Sequence, residues 1–318
     1  MSKVAAIGEV MIELSPMITD ADNLGSNTAQ KKMAMNLAFG GDTFNTGIYL
    51  ARFGINVDYI TRLGTDDYSK QILALLSAEK IGTSLITQVN NACPGLYSIT
   101  NSADGERQFN YWRNESPAKK LFDNTNQASE LFEKLKDFDY IYLSGISLAI
   151  ISKAARVALF KFLDSYRQQG GKVVFDSNYR ARLWKNHEEA RDVLADMYKK
   201  TDIALLTFED EQELWDYELP QQCLDYCQQA NVGEVVLKQG KDNVIVYTNQ
   251  QMLTVEVPAV DNVVDTTGAG DSFNAGYLAA RIKGLNMMDA AKSGIDRAAN
   301  VIQHRGAIIP LSDLQASA

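Results

Sequence analysis

The chain has 318 residues, 46% of them apolar and 22% charged, an ordinary globular composition that can bury one large core with perhaps a small second unit. Its formal charge of −9 disfavours non-specific binding to nucleic acid or acidic membranes, so an anionic ligand must be held by local donors. Met1 to Leu14 are interrupted by Glu9 and Glu13 and carry no cleavage signature, and no apolar run approaches the length of a membrane span. Cys93, Cys223 and Cys227 have no Cys-x-x-Cys or His partner, which speaks against disulfides and zinc and suits a reducing cytoplasm. His187 and His304 are the only histidines, so carboxylates must carry any acid–base work.

In chain order, Val4 to Ile12 read as one buried opening strand, and Ser15 to Lys32 are polar and weakly patterned. Gly40-Gly41-Asp42 then lead into a helix through Ile48, Leu50 and Ala51, stopped by Gly54. The glycine pair reads equally as a loop with Asp42 capping the helix, or as a wall against a small polyol served by Asp42 and Asn45. Val57 to Leu63 form a strand and Asp66 to Lys80 a helix with Ile72, Leu75 and Leu76 on one face. Leu96 to Ile99 and Gln108 to Arg113 alternate around a polar turn at Asn101 to Glu106, which makes a hairpin. Period two places Phe109, Tyr111 and Arg113 on one face, as in a small sheet covering a ligand.

Beyond Phe138, strands and helices alternate. The strands are Tyr140 to Leu143, Lys172 to Asp176, Ile203 to Leu206 and Glu234 to Leu237. The helices are Ile150 to Arg167, Glu188 to Lys199, Glu209 to Asp216 and Gln221 to Ala230. The expected fold class is α/β, with a mostly parallel sheet covered by helices on both faces. Ligands in such sheets sit beyond the carboxyl ends of the strands, where Asp176 to Arg180 and Lys238-Gln239-Gly240 fall. Taken singly these are ordinary turn residues. Their shared position is what suggests ligand contacts.

Chemistry concentrates in Asp265-Thr266-Thr267-Gly268-Ala269-Gly270-Asp271-Ser272-Phe273, which opens a helix. Gly268, Ala269 and Gly270 offer outward backbone N–H groups at a helix start, a place for phosphate. A carboxylate beside bound phosphate is repelled by it, and proton abstraction from an attacking hydroxyl gives Asp271 a reason to be there. The spacing matches neither a dinucleotide fingerprint nor a Walker loop. Two arginines and two tyrosines, in Tyr97, Tyr111-Trp112-Arg113 and Arg180, suit a substrate bearing a carboxylate better than a neutral sugar.

The Asp265 to Phe273 string, with Gly-Gly-Asp-x-x-Asn at 40–45, resembles the ribokinase-like (PfkB) carbohydrate kinases, and the likeness runs to Gly306-Ala307-Ile308-Ile309-Pro310. It implies one kinase domain over 1–318, with a β lid from segments at about 13–38 and 93–113, acting on a sugar acid with ATP and Mg2+. Asp271 would be the base and Gly268 to Gly270 the anion hole. Gly41, Asp42, Thr43, Phe44 and Asn45 would meet the sugar. Asn178 and Lys238, Gln239, Gly240, Lys241, Asp242 and Asn243 would lie toward the nucleotide. Asp265 and Thr267 match positions that hold a monovalent cation, K+, in relatives. Two departures stand out: Phe208 replaces the Asn that usually precedes a magnesium-associated Glu, here Glu211, and Ala307 stands where some relatives place an Asp against substrate. A neutral-sugar kinase of the fructokinase or ribokinase type is the alternative, and a non-catalytic sugar sensor the alternative from another class. A homo-oligomer joined through an exposed lid sheet, with Phe109 and Trp112 at its surface, is expected.

Overall fold

The computed structural model describes residues 2–17, 34–101, 107–249 and 251–314. Its centre is an eight-stranded sheet in the order β14-β13-β12-β11-β10-β9-β1-β4. Six strands are parallel: β1 (Lys3–Ile7), β4 (Asn56–Ile60), β9 (Tyr140–Ser144), β10 (Lys172–Asp176), β11 (Ile203–Thr207) and β12 (Glu234–Lys238). The antiparallel strands β13 (Val244–Thr248) and β14 (Met252–Val255) complete one edge.

The parallel strands are apolar on both faces because both are covered. Along β10, Val173 and Phe175 enter one core while Val174 enters the other. The first core is packed by α3 (Thr125–Leu135), α4 (Gly145–Ile150), α5 (Lys153–Gln168), α6 (His187–Tyr198), α7 (Phe208–Trp215) and α8 (Pro220–Gln229). The second is packed by α1 (Asp42–Arg52), α2 (Asp67–Ala78), α9 (Ala269–Ile282) and α10 (Met287–Val301). From β1 the chain runs outward to β4, and from β9 it steps the other way to β12. The switch point therefore lies between β1 and β9, where a ligand cleft is expected.

The lid rises there as a four-stranded sheet, β3-β2-β7-β8, built from β2 (Met11–Pro16), β3 (Met35–Gly40), β7 (Leu96–Asn101) and β8 (Arg107–Trp112). Residues 18–33 of the expected lid, and 102–106 of the expected hairpin turn, lie outside the described residues.

Three sequence expectations need correction. Val4 to Ile12 are two strands: β1 ends at Ile7, and the chain turns at Gly8-Glu9-Val10 to start β2 in the lid. An unbroken apolar run cannot reveal that its halves join different sheets. Val57 to Leu63 likewise divide into β4 and the short β5 (Arg62–Gly64), which pairs with β6 (Thr87–Val89) instead. Ile150 to Arg167 are not one helix, since Ser152 caps α5 separately through its hydroxyl on the Ala155 N–H.

Candidate active site

The amino ends of α1 and α9 converge on the cleft. Gly268, at φ 75, is the left-handed residue before α9, and a Cβ there would stand 2.8 Å from the Ala307 Cβ. The small Ala307 thus packs behind the cradle. Asp271 lies in the first turn of α9, so its carboxylate sits beside the helix's unpaired N–H groups.

Asn45 of α1 donates from Nδ2 to Asp271 Oδ2 at 2.8 Å, and Thr46 Oγ1 donates to the Asp271 carbonyl at 3.2 Å. These bonds fix the carboxylate between the two helices. Burial first, then the neighbouring Asp42 and Asp176 charges, raises its pKa well above the ordinary carboxylate value; Asn45 and Lys238 pull the other way. The side chain keeps some solvent exposure.

Asp42 is the first residue of α1 rather than its cap: Gly41 occupies the cap position and no side chain caps the helix. The Asp42 carboxylate is free of that duty and accepts from Asn178 Nδ2 at 2.9 Å. Gly41 has no room for a Cβ, which would run into the backbone carbonyl of Glu9. Thr43 and Phe44 are wholly buried, with Thr43 Oγ1 3.1 Å from Tyr59 OH and the Phe44 ring edge-on to Tyr59. Their side chains therefore build the floor under the cleft.

Across the cleft, Tyr97 and Tyr111 stack with ring centroids 5.6 Å apart on the inner lid face. The Tyr97 hydroxyl donates to the buried Glu13 carboxylate. Arg113 is buried in an ion pair with Glu9. Its guanidinium also lies 5.9 Å from the Tyr111 ring, while Arg182 stacks at 3.9 Å on the same ring. Arg180 donates to Asp210 Oδ1 at 3.0 Å and to the Tyr179 carbonyl at 2.5 Å. Trp112 departs from this group: alternation turns it to the outer lid face, where it is 62% exposed.

On the other side, Lys238 ends β12, and Gln239, Gly240, Lys241, Asp242 and Asn243 form the turn into β13, with Gln239 Nε2 donating to the Asn243 carbonyl at 3.0 Å. Lys238 Nζ donates to Asn274 Oδ1 at 2.8 Å. Asp176 is buried, and its pKa rises to about 6, chiefly through burial. Asp265 accepts the N–H groups of Thr267 at 2.9 Å and Gly306 at 2.8 Å, tying the loop before the cradle to the loop behind it. Glu211 is 1% exposed and takes the Tyr198 hydroxyl at 2.7 Å; burial pushes its pKa up to about 7.

Glu9, Glu13, Arg182 and Asn274 are cleft residues that pattern reading leaves out. For Glu9 and Glu13 the signal was present, as charges inside an apolar run that would otherwise be wholly buried.

A carboxylate at a helix amino end beside a glycine-rich turn, with a small four-stranded sheet set against a doubly covered parallel sheet, is the arrangement of a ribokinase-like phosphotransferase. The chain belongs to the pfkB family of carbohydrate kinases, whose model matches residues 1–314. It is 46% identical over 322 residues to a 2-dehydro-3-deoxygluconokinase of Dickeya dadantii (strain 3937), covering 98% of both chains. It is also 46% identical to that of Escherichia coli (strain K12), covering 97% of each. Among solved structures, a 2-dehydro-3-deoxygluconokinase from Thermotoga maritima superposes with a TM-score of 0.80 at 21% identity, over 98% of this chain and 97% of that one. A ribokinase II from E. coli in complex with ATP and Mg2+ gives 0.81 at 24% identity, over 96% and 94%. These two likenesses establish the fold.

Proposed function

We propose that the chain transfers the γ-phosphoryl group of ATP to a hydroxyl of 2-keto-3-deoxygluconate, giving 2-keto-3-deoxy-6-phosphogluconate and ADP. The observation that carries the reading is the Asp271 carboxylate, fixed by Asn45 at the mouth of the Gly268–Gly270 cradle. The raised pKa makes it a stronger base than a solvated aspartate. It takes the hydroxyl proton as the sugar oxygen bonds to the γ-phosphorus and the bond to the β,γ-bridging oxygen breaks. Backbone N–H groups of Gly268, Ala269 and Gly270 receive the charge that builds on the transferring group.

Mg2+ neutralises the ATP phosphates when it is bound. No group of three or more metal-binding side chains occurs among the described residues, which suits an ion that arrives largely on the nucleotide with one or two protein carboxylates. Asp176 at the end of β10, which accepts from Asn274, would be the carboxylate that holds it. Arg113 and Arg180, with Tyr97 and Tyr111, would hold the substrate's carboxylate and hydroxyls.

Measuring ADP release with the keto acid, fructose and ribose tests the reading. Preference for fructose or ribose overturns the substrate. A chain that turns over no sugar would be a sensor, not a kinase.

Two further parts complete the scheme. A K+ ion beside Asp265 and Thr267 would stiffen the loops that the Asp265 carboxylate already joins behind the cradle. Exchanging K+ for tetramethylammonium is then expected to lower turnover, and an unchanged rate removes the ion. The outer lid face exposes Trp112 at 62% and Leu37 at 42%, an apolar surface that fits the same face of a second copy. Phe109, expected there, belongs to the inner face with Tyr97 and Tyr111. Trp112→Glu is expected to shift gel filtration to a smaller species; an unchanged elution volume excludes the lid as the contact. No helix among the described residues is long and apolar enough to cross a membrane. The three free cysteines suit a cytoplasmic location, where ATP is supplied.

A further inference from the structure

We infer that Asn274 is a positioning residue, which holds the Lys238 ammonium against the Gly270 end of the anion cradle and keeps Asp176 from drawing it away. Asn274 is wholly buried on α9, one turn beyond Asp271 and so on the same side of the helix. A lysine ammonium can only donate, so the amide oxygen must face Lys238, which it meets at 2.8 Å. The amide nitrogen is thereby aimed at the opposite side. It donates to Asp176 Oδ2 at 3.0 Å and to Tyr142 OH at 3.2 Å.

Lys238 and Asp176, opposite charges 8% and 4% exposed, are thus joined through an amide. Without that spacer, their attraction in a low-dielectric site would pull the flexible lysine toward β10. With it, Lys238 Nζ stands 3.8 Å from where a Gly270 Cβ would be, beside the N–H groups that meet phosphate. One ammonium N–H is spent on Asn274, leaving two for phosphate oxygens. The cleft around it carries Asp42, Asp176 and Asp271, all of which raise the cost of an incoming polyphosphate. A cation fixed at the cradle offsets that repulsion where the phosphoryl group moves. Carrying base, cradle and amide on one helix keeps the three in register.

The inference rests on the kinase reading. Its test is a double-mutant cycle with Asn274→Leu, Lys238→Met and both together, measuring turnover of the keto acid and calorimetric binding of a non-hydrolysable ATP analogue. Each single change is expected to lower kcat by on the order of 100-fold. The double variant should fall within about threefold of Lys238→Met, because residues that act as a unit are not additive. The KM for the keto acid should stay within about threefold of the parent. Analogue affinity should fall alike in all three variants. Losses that multiply, or an Asn274→Leu chain with parental turnover, overturn the inference. Should Asn274→Leu fail to fold, Asn274→Ser enters the same cycle with the same two outcomes. A parent chain inactive with ATP and every sugar would defeat the kinase reading instead, a result distinct from additive losses in an active enzyme.

Discussion

Asp271→Asn is expected to cut turnover by on the order of 1,000-fold, the usual worth of a general base with its positioning, and to make the protein more stable at neutral pH. The amide keeps the shape of the side chain and an oxygen for the Asn45 Nδ2 donor, so the cleft should stay intact. Only the base is lost. The stability gain follows from the direction of the pKa shift. Burial and the Asp42 charge raise the folded-state pKa well above the ordinary carboxylate value, so the folded protein binds the proton more tightly than the unfolded chain. Ionising Asp271 therefore works against folding at every pH above that unfolded value. An amide never ionises and escapes the penalty. The gain in melting temperature should be full above the raised pKa and should vanish as pH falls toward the ordinary carboxylate range. Thermal scans of both proteins from acid to neutral pH, beside their kcat values, check both halves. A variant with parental turnover, or one less stable than the parent at neutral pH, contradicts the assignment. The same electrostatics set the acid limb of the parent's pH–rate profile. Lys238 lowers the Asp271 pKa, so Lys238→Met should move that limb to higher pH.

Much of this arrangement was legible in the sequence, because it rests on local rules. The helix start at Gly268 and its stop at Gly284, φ 84, follow from glycine's access to left-handed backbone. The buried strands β9 to β12 were readable as short apolar runs separated by helical periodicity. What stayed hidden depends on contacts between distant residues. Nothing local distinguishes Asp42 as a cap from Asp42 as the acceptor of Asn178, whose partner lies far along the chain. Period two separates Tyr111 from Trp112, but which of the two faces the cleft depends on how β8 pairs with β7. Asn274 reads as one more polar residue in a helix until β12 and β10 bring Lys238 and Asp176 to either end of its amide.

Arg113→Ala is expected to weaken the sugar acid by about 1.5–3 kcal/mol, the worth of a hydrogen bond to a charged group, with ATP affinity little changed. The structure adds a second consequence. Arg113 is the cation paired with Glu9, which is 2% exposed and sits in the turn between β1 of the core and β2 of the lid. Truncating the arginine strands that carboxylate in a low-dielectric site, and breaking a buried pair from one side typically costs about 3–5 kcal/mol of stability. A rise in KM alone would therefore confuse a lost ligand with a distorted lid. Combining Arg113→Ala with Glu9→Gln separates them, since the neutral amide no longer needs a cation. The double variant should recover most of the lost stability in denaturant titrations while its KM for the keto acid remains high. If stability and KM recover together, the arginine serves only to neutralise Glu9, and the acid group of the substrate must be held from the other wall, where Arg180 is tied to Asp210. That arginine keeps 43% of its side chain exposed and can turn to an incoming carboxylate, but doing so takes the cation from Asp210, which is only 17% exposed.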